Sequence, residues 1–357
     1  MVRGRASAET MPQPPAVIDR SPQAALSPVP KKPSNRLQTP EATRPVQMAW
    51  GYTFSITTIH LLALLCCLPW FFSWTGLVLG VVGTPVFGLL GMTLCYHRLL
   101  THQGFKCPKW FERSLATLGV WCLQDTPARW VAIHRMHHKH SDESDDPHSP
   151  LVTFFWSHVG WLIVKHREHS NVLFFEKYAR DILRDRYYLW LERNLNWLWM
   201  YMGHAFLYLA LGTGAGYLMH GLTLPALQFG LSVLVWGVFF RTVAVWHVTW
   251  SVNSVTHLIG YRNYDTSDRS RNHWLIALLT HGEGWHNNHH ADQRSCAHGH
   301  RWWEYDLTYR VIRLFEVLGL ATDVVRPRPP RQLVAEQAAR SAAEAPIAES
   351  TPTDAAA

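Results

Sequence analysis

Two long runs of this 357-residue chain contain no Lys, Arg, Asp or Glu, one from residue 45 to 97 and the other from residue 194 to 240. A bilayer core takes about 20 apolar residues per helix, so each run is long enough for two crossings. Each also breaks near its middle, around Pro69 to Ser73 and around His220 to Pro225. The pattern predicts four transmembrane helices, roughly Met48 to Trp70, Ser73 to Tyr96, Trp197 to Met219 and Leu224 to Val248. The near-neutral average hydropathy hides them, because polar tails dilute the apolar stretches.

Basic residues are absent from both short turns and plentiful in the two tails and between Arg98 and Arg193. That bias places both termini and the middle segment on the cytoplasmic side of a multi-pass membrane protein. The net charge of +7 suits a surface facing anionic lipid headgroups. No basic helix or stacking module accompanies it, so nucleic acid is not an expected partner. Residues 1–46 carry nine prolines among Ala, Ser, Gln and Thr, a composition that cannot bury enough apolar surface to offset chain entropy, and predict a disordered tail. They lack the apolar core of a secretory leader. Residues 326–357, opening RPRPPR and ending Ala-rich, read the same way, which leaves 47–325 as one membrane domain. The six cysteines show no paired spacing and predict no disulfide framework.

The placement of the 22 histidines carries the chemistry. His97 and His102 frame HRLLTH; His134, His137 and His138 form HRMHH; His286, His289 and His290 form HNNHH. Positions i, i+3 and i+4 share a helix face, so each of the last two clusters can aim three imidazoles at one centre. Neutral imidazole ligates iron, zinc and copper. A structural zinc site closes at four ligands and a catalytic one commonly uses three, so eight clustered histidines point to two metals. Two adjacent irons can reduce dioxygen and yield an oxidant able to break an unactivated C–H bond. A lone histidine is ordinarily a hydrogen-bonded structural residue. We read His60, His148, His158, His166, His169, His204, His220, His247, His273, His281, His298 and His300 so.

HRLLTH, HRMHHKHSD followed by DPHS, SHVGWL, TWSVNSVTHLIGYRNYD and GEGWHNNHH together resemble the integral-membrane fatty acyl desaturases, over roughly residues 48 to 320. They are similar to stearoyl-CoA (delta-9) desaturase and bacterial delta-9 acyl desaturases. The resemblance implies an all-α integral membrane protein, four transmembrane helices under a cytoplasmic helical cap, with a di-iron site at the junction. It implies His97, His102, His134, His138 and His289 on one iron, and His137, His257, His286 and His290 on the other, with Asn253 acting through a water. It also implies a bent acyl tunnel whose kink falls on Gln124, Trp130 and Thr249, with Trp250 as a neighbouring substrate contact. The expected reaction is dioxygen-dependent insertion of a cis delta-9 double bond into a saturated acyl chain.

At the positions that grip coenzyme A in the animal enzymes this chain has Ala132, Ile133, Leu151 and Val152, while Lys165 keeps one positive charge. Acyl-CoA is the favoured substrate and a lipid-linked acyl chain competes with it. No flavin or nicotinamide fingerprint, heme pattern or iron–sulfur cysteine set occurs, which implies a separate electron donor, cytochrome b5 or ferredoxin with a reductase. Two alternatives stand beside this reading. A membrane di-iron hydroxylase or related oxygenase would use nearly the same site. A metal transporter would place ionisable groups along an ion path inside the crossing helices.

Overall fold

The computed structural model describes residues 36–344. Those residues are helical, with no β-strand among them and only isolated bridges such as Met48 to Val164. The first hairpin consists of α1 (Trp50–Leu64) and α2 (Trp74–Phe87), and α2 runs on without a break as a π-helical stretch, Gly88–Thr101. Ser73 starts α2 by accepting a hydrogen bond from the Gly76 N–H at 2.9 Å, which satisfies one of the orphan donors at a helix start. Then come α3 (Lys109–Val120) and α4 (Pro127–His140), the latter capped by the Thr126 hydroxyl with Pro127 in its first turn. A π turn (Trp156–Gly160) leads into short helices α5 (Trp161–Ile163), α6 (Val172–Tyr178), α7 (Arg180–Leu183) and α8 (Arg186–Glu192).

The second hairpin is α9 (Asn196–His220) and α10 (Leu224–Leu234), the latter continuing through a π segment, Val235–Phe240, into α11 (Arg241–Val255). The turn between them is made by Gly221 at φ +68°, a left-handed value that favours glycine. The chain closes with α12 (Trp274–Leu279), α13 (His286–Ala291), α14 (Leu307–Val317) and α15 (Pro330–Glu344).

Among the described residues three helices are long and apolar enough to cross a membrane: Trp50–Cys67, Trp74–Thr101 and Leu224–Val255. The fourth expected crossing, α9, has the length, but its tyrosines, tryptophans, glycines and histidines lower its hydropathy. The one charge inside the last long helix, Arg241, is buried. It lies 3.7 Å from the centre of the Phe87 ring and donates to the Trp121 carbonyl at 2.9 Å, so it does not face lipid.

Of the tail expected over residues 1–46, residues 36–46 are described and pair with the body. Leu37 N–H donates to the Leu151 carbonyl, and Arg167 N–H donates to that of Ala42. Residues 1–35 and 345–357 lie outside the described part. Of the tail expected over 326–357, Arg328 binds Asp292 at 3.0 Å and 330–344 form α15. All six cysteines are free.

Candidate metal centre

The π-helical stretch decides how HRLLTH works. In an α-helix residues five apart sit about 140° from each other around the axis. In the π register the bond closes from i to i+5, and His102 N–H donates to the His97 carbonyl at 3.1 Å. The two imidazole centroids are consequently 4.7 Å apart.

The other two clusters correct a sequence expectation. Neither HRMHH on α4 nor HNNHH on α13 aims three imidazoles at one centre; each sends its i and i+4 rings one way and its i+3 ring another. The reason is angular, since i+3 and i+4 diverge by about 100° around a helix. His97, His102, His134, His138 and His289 form one group, and His137, His257, His286 and His290 the other, each with ligand atoms within 4.8 Å of one another. In the first, Nε2 atoms stand 3.1 Å apart between His97 and His289, and 3.0 Å apart between His289 and His138 and between His138 and His134. In the second, His286 meets His257 at 3.1 Å and His290 at 3.0 Å.

Carboxylates fix which nitrogen points inward. Nδ1 of His97 faces Glu283, Nδ1 of His137 faces Asp146 at 3.0 Å, Nδ1 of His257 faces Asp142 at 2.8 Å, and Nδ1 of His290 faces Asp268 at 2.5 Å. A carboxylate holds the proton on Nδ1 and leaves the Nε2 lone pair for a metal. Burial and then the neighbouring rings hold His134, His138, His286 and His289 well below the usual imidazole value. They are therefore neutral, the state that ligates. At His257 burial also pulls the value down, but Asp142, together with Asp268 and Asp146, outweighs it and raises the net value. Neutral Nε2 lone pairs converging at 3 Å repel one another unless a cation lies between them, so the donor set fits a metal in each group.

The centre forms part of the wall of a cavity of about 380 Å³ that touches His97, His134, His286 and Asn253. Gln124 and Thr249 meet across it at 3.0 Å, Trp130 stacks on His134 at 4.8 Å, and Trp250 stacks on Trp246 at 5.5 Å; all of them line it. Tyr52, Asp125 and Leu162 are shared with a second cavity, a vestibule that carries Lys165, Arg167 and Arg129. The structure thus brings every expected site residue except Lys165 to the cavity or the imidazole groups, and Lys165 to the vestibule.

Residues 68–319 match the family model described as fatty acid desaturase. The chain belongs to the fatty acid desaturase family. It is 42% identical to an sn-1 stearoyl-lipid 9-desaturase of Anabaena variabilis over 79% of this chain and 96% of that protein. It is 41% identical to a protein of the same name from Synechocystis, over 78% of this chain and 81% of that one. It is also 41% identical to an acyl-CoA 5-desaturase of Anemone leveillei, over 83% and 88% respectively. Membership makes it an oxidoreductase of fatty acyl chains, with histidine clusters able to hold metal and helices able to span a membrane.

Sequence reasoning missed the carboxylates. Asp142, Asp146 and Glu283 sit inside the motif runs, where adjacency was a usable signal, but Asp268 lies 22 residues from its partner His290 and carries none. It also missed two rings read as isolated. His298 lies 4.3 Å from the His289 ring and beside Glu283, and His148 lies 4.4 Å from the His137 ring. Another three, His60, His247 and His158, join one another by contacts of 3.1 and 3.0 Å behind Trp246 and Trp250.

Proposed function

We propose that this desaturase acts at delta-9, placing a cis double bond in a saturated acyl chain carried on a membrane lipid. The observation that carries the acyl reading is the cavity itself. It is mostly apolar, shares Tyr52, Asp125, Ile133, Trp161 and Leu162 with the basic second cavity, and has both imidazole groups in its wall beside Gln124, Trp130 and Thr249. The delta-9 position and the lipid carrier are supported by the activities for which the Anabaena and Synechocystis relatives are named. The apolar Ala132, Ile133, Leu151 and Val152 support the lipid carrier further. Acyl-CoA is the second reading, favoured by the Anemone relative and by Lys165 and Arg167 in the vestibule.

Two iron ions, bound by the nine histidines with Asn253 acting through a water, would supply the dioxygen chemistry that breaks two C–H bonds. The balance is one saturated chain, one dioxygen, two electrons and two protons giving one alkene and two waters. The electrons come from cytochrome b5 or ferredoxin with its reductase. The protein's part is positioning: the cavity walls hold two methylenes beside the imidazole groups and keep the rest of the chain from moving.

In this reading 47–325 is the membrane domain, with both termini and the active site cytoplasmic and α9 as the fourth crossing. The packing of α9 supports that role. A Cβ on Gly216 would stand 2.6 Å from the Ala226 carbonyl oxygen, and one on Gly230 would stand 2.0 Å from the Thr213 hydroxyl. Membrane helices use small residues for such close approach. Trp199, Phe206, Leu211 and Leu218 point outward.

The test is expression in a host without its own desaturases, with a competent electron donor, followed by chromatography of lipid-bound and CoA-bound acyl chains. A cis delta-9 product appearing first in lipid supports the proposal. A hydroxylated product would establish the oxygenase alternative, and no oxidised product would overturn both.

A further inference from the structure

We propose that the chain beyond α14 forms a clasp on the metal centre, in which Arg328 is a positioning residue for the three histidines of α13. This rests on the metal-binding reading above. Arg328 lies beyond residues 68–319, which match the family model, and inside the run 326–357 that composition alone reads as a tail. Its backbone N–H donates to Oδ2 of Asp292 at 2.9 Å and its Nε donates to Oδ1 at 3.0 Å. Its guanidinium also donates to the Ala291 carbonyl at 3.2 Å. From the other side Glu336 of α15 accepts from the same guanidinium at 2.6 Å.

α13 needs such a hold. It has six residues, far short of the roughly 12 below which an isolated helix is marginal, and its last carbonyls have no partner within it. Its asparagines tie one side: Asn287 accepts from the Tyr264 N–H at 2.8 Å, and Asn288 donates to Glu304 at 2.7 Å. Arg328 ties the C-terminal end, where it satisfies the Ala291 carbonyl and sets a cation at the negative end of the helix dipole. That end carries His289 to one imidazole group and His290 to the other, so one contact serves both. Before it reaches α13 the same segment is pinned beside His102. Thr322 and Lys106 exchange two backbone bonds of 2.8 Å, Val325 N–H donates to the Gly104 carbonyl at 2.8 Å, and the Val325 carbonyl accepts from the Cys296 N–H at 3.0 Å. The clasp therefore ties the residues that follow His102 to the helix that carries His289. Those two rings belong to one group and have centroids 4.6 Å apart.

The experiment loads the purified full-length protein with ferrous ion in detergent under argon, titrates it against a competing chelator and reads metal per chain by elemental analysis. Arg328→Ala should bind metal with roughly tenfold lower affinity, the lower end of what outer partners of metal ligands are worth. Asp292→Asn keeps the shape of its side chain and should weaken binding in the same direction. The double variant should be no weaker than Arg328→Ala alone, because both substitutions act on one contact. Arg326→Ala, two residues earlier, removes bonds to Glu316 and Tyr309 that do not touch α13, and should bind as the unaltered protein does. Unchanged affinity in Arg328→Ala, losses that add in the double variant, or an equal loss in Arg326→Ala overturns the clasp. An unaltered chain that takes up no metal overturns the metal-binding reading, and the clasp with it.

Discussion

Asp268 shows at the scale of one residue how the centre is built. Burial alone would raise its pKa, but His290 outweighs that and holds the carboxylate well below its usual range. The Ser270 N–H donates to the same carboxylate at 2.9 Å, so the group that turns His290 inward is itself fixed. Removing such an orienting partner costs roughly 10–100-fold in metal affinity. Asp268→Asn should therefore retain less metal than the unaltered protein after equilibration with a chelator, read by elemental analysis of purified protein. Equal retention would remove Asp268 from the site. Nothing in the sequence marks this residue, because its link to His290 on α13 is made by the fold of the loop between α11 and α12.

At the scale of elements, the π-helical stretch combines two tasks. It carries His97 and ends at the residue before His102, and it packs against α3 so closely that a Cβ on Gly91 would lie 2.5 Å from the Gly119 nitrogen. That contact is backbone against backbone and cannot yield by a side-chain rotation. Gly91→Ala should destabilise the protein by about 1–3 kcal/mol, the usual cost of overpacking, seen as a lower unfolding midpoint in detergent. Gly88→Ala, about one α-turn earlier, where the new Cβ would meet His281 and Val245 only at ordinary contact distances of 3.9 and 4.0 Å, should leave the midpoint unchanged. The sequence located both helical hairpins and their turns. The π register was not legible in it, because a pattern of apolar residues at a helix's outset looks the same whether its bonds close at i+4 or i+5.

At the scale of the whole molecule, the proposed topology puts the turn at His220 to Thr223 on the far side of the membrane from the segment at Gln293 and Arg294. In a cysteine-free background, a single cysteine at residue 222 should react with an impermeant thiol reagent added outside intact cells, whereas one at residue 293 should react only after the cells are opened. Labelling of both from the same side would exclude four crossings. Leu222 is 93% exposed, so access at that turn does not depend on unfolding. The sequence by itself determined the membrane class, the helical hairpins, the histidine clusters and the family, since charge-free length and motif spacing are local properties that survive without coordinates. Spacing left open which imidazoles share a group, which the resemblance implied and the tertiary structure brings together, and only the tertiary structure decided which carboxylates orient them. Those facts depend on the angles at which separate helices meet, and such angles are set by packing between residues that the chain keeps far apart.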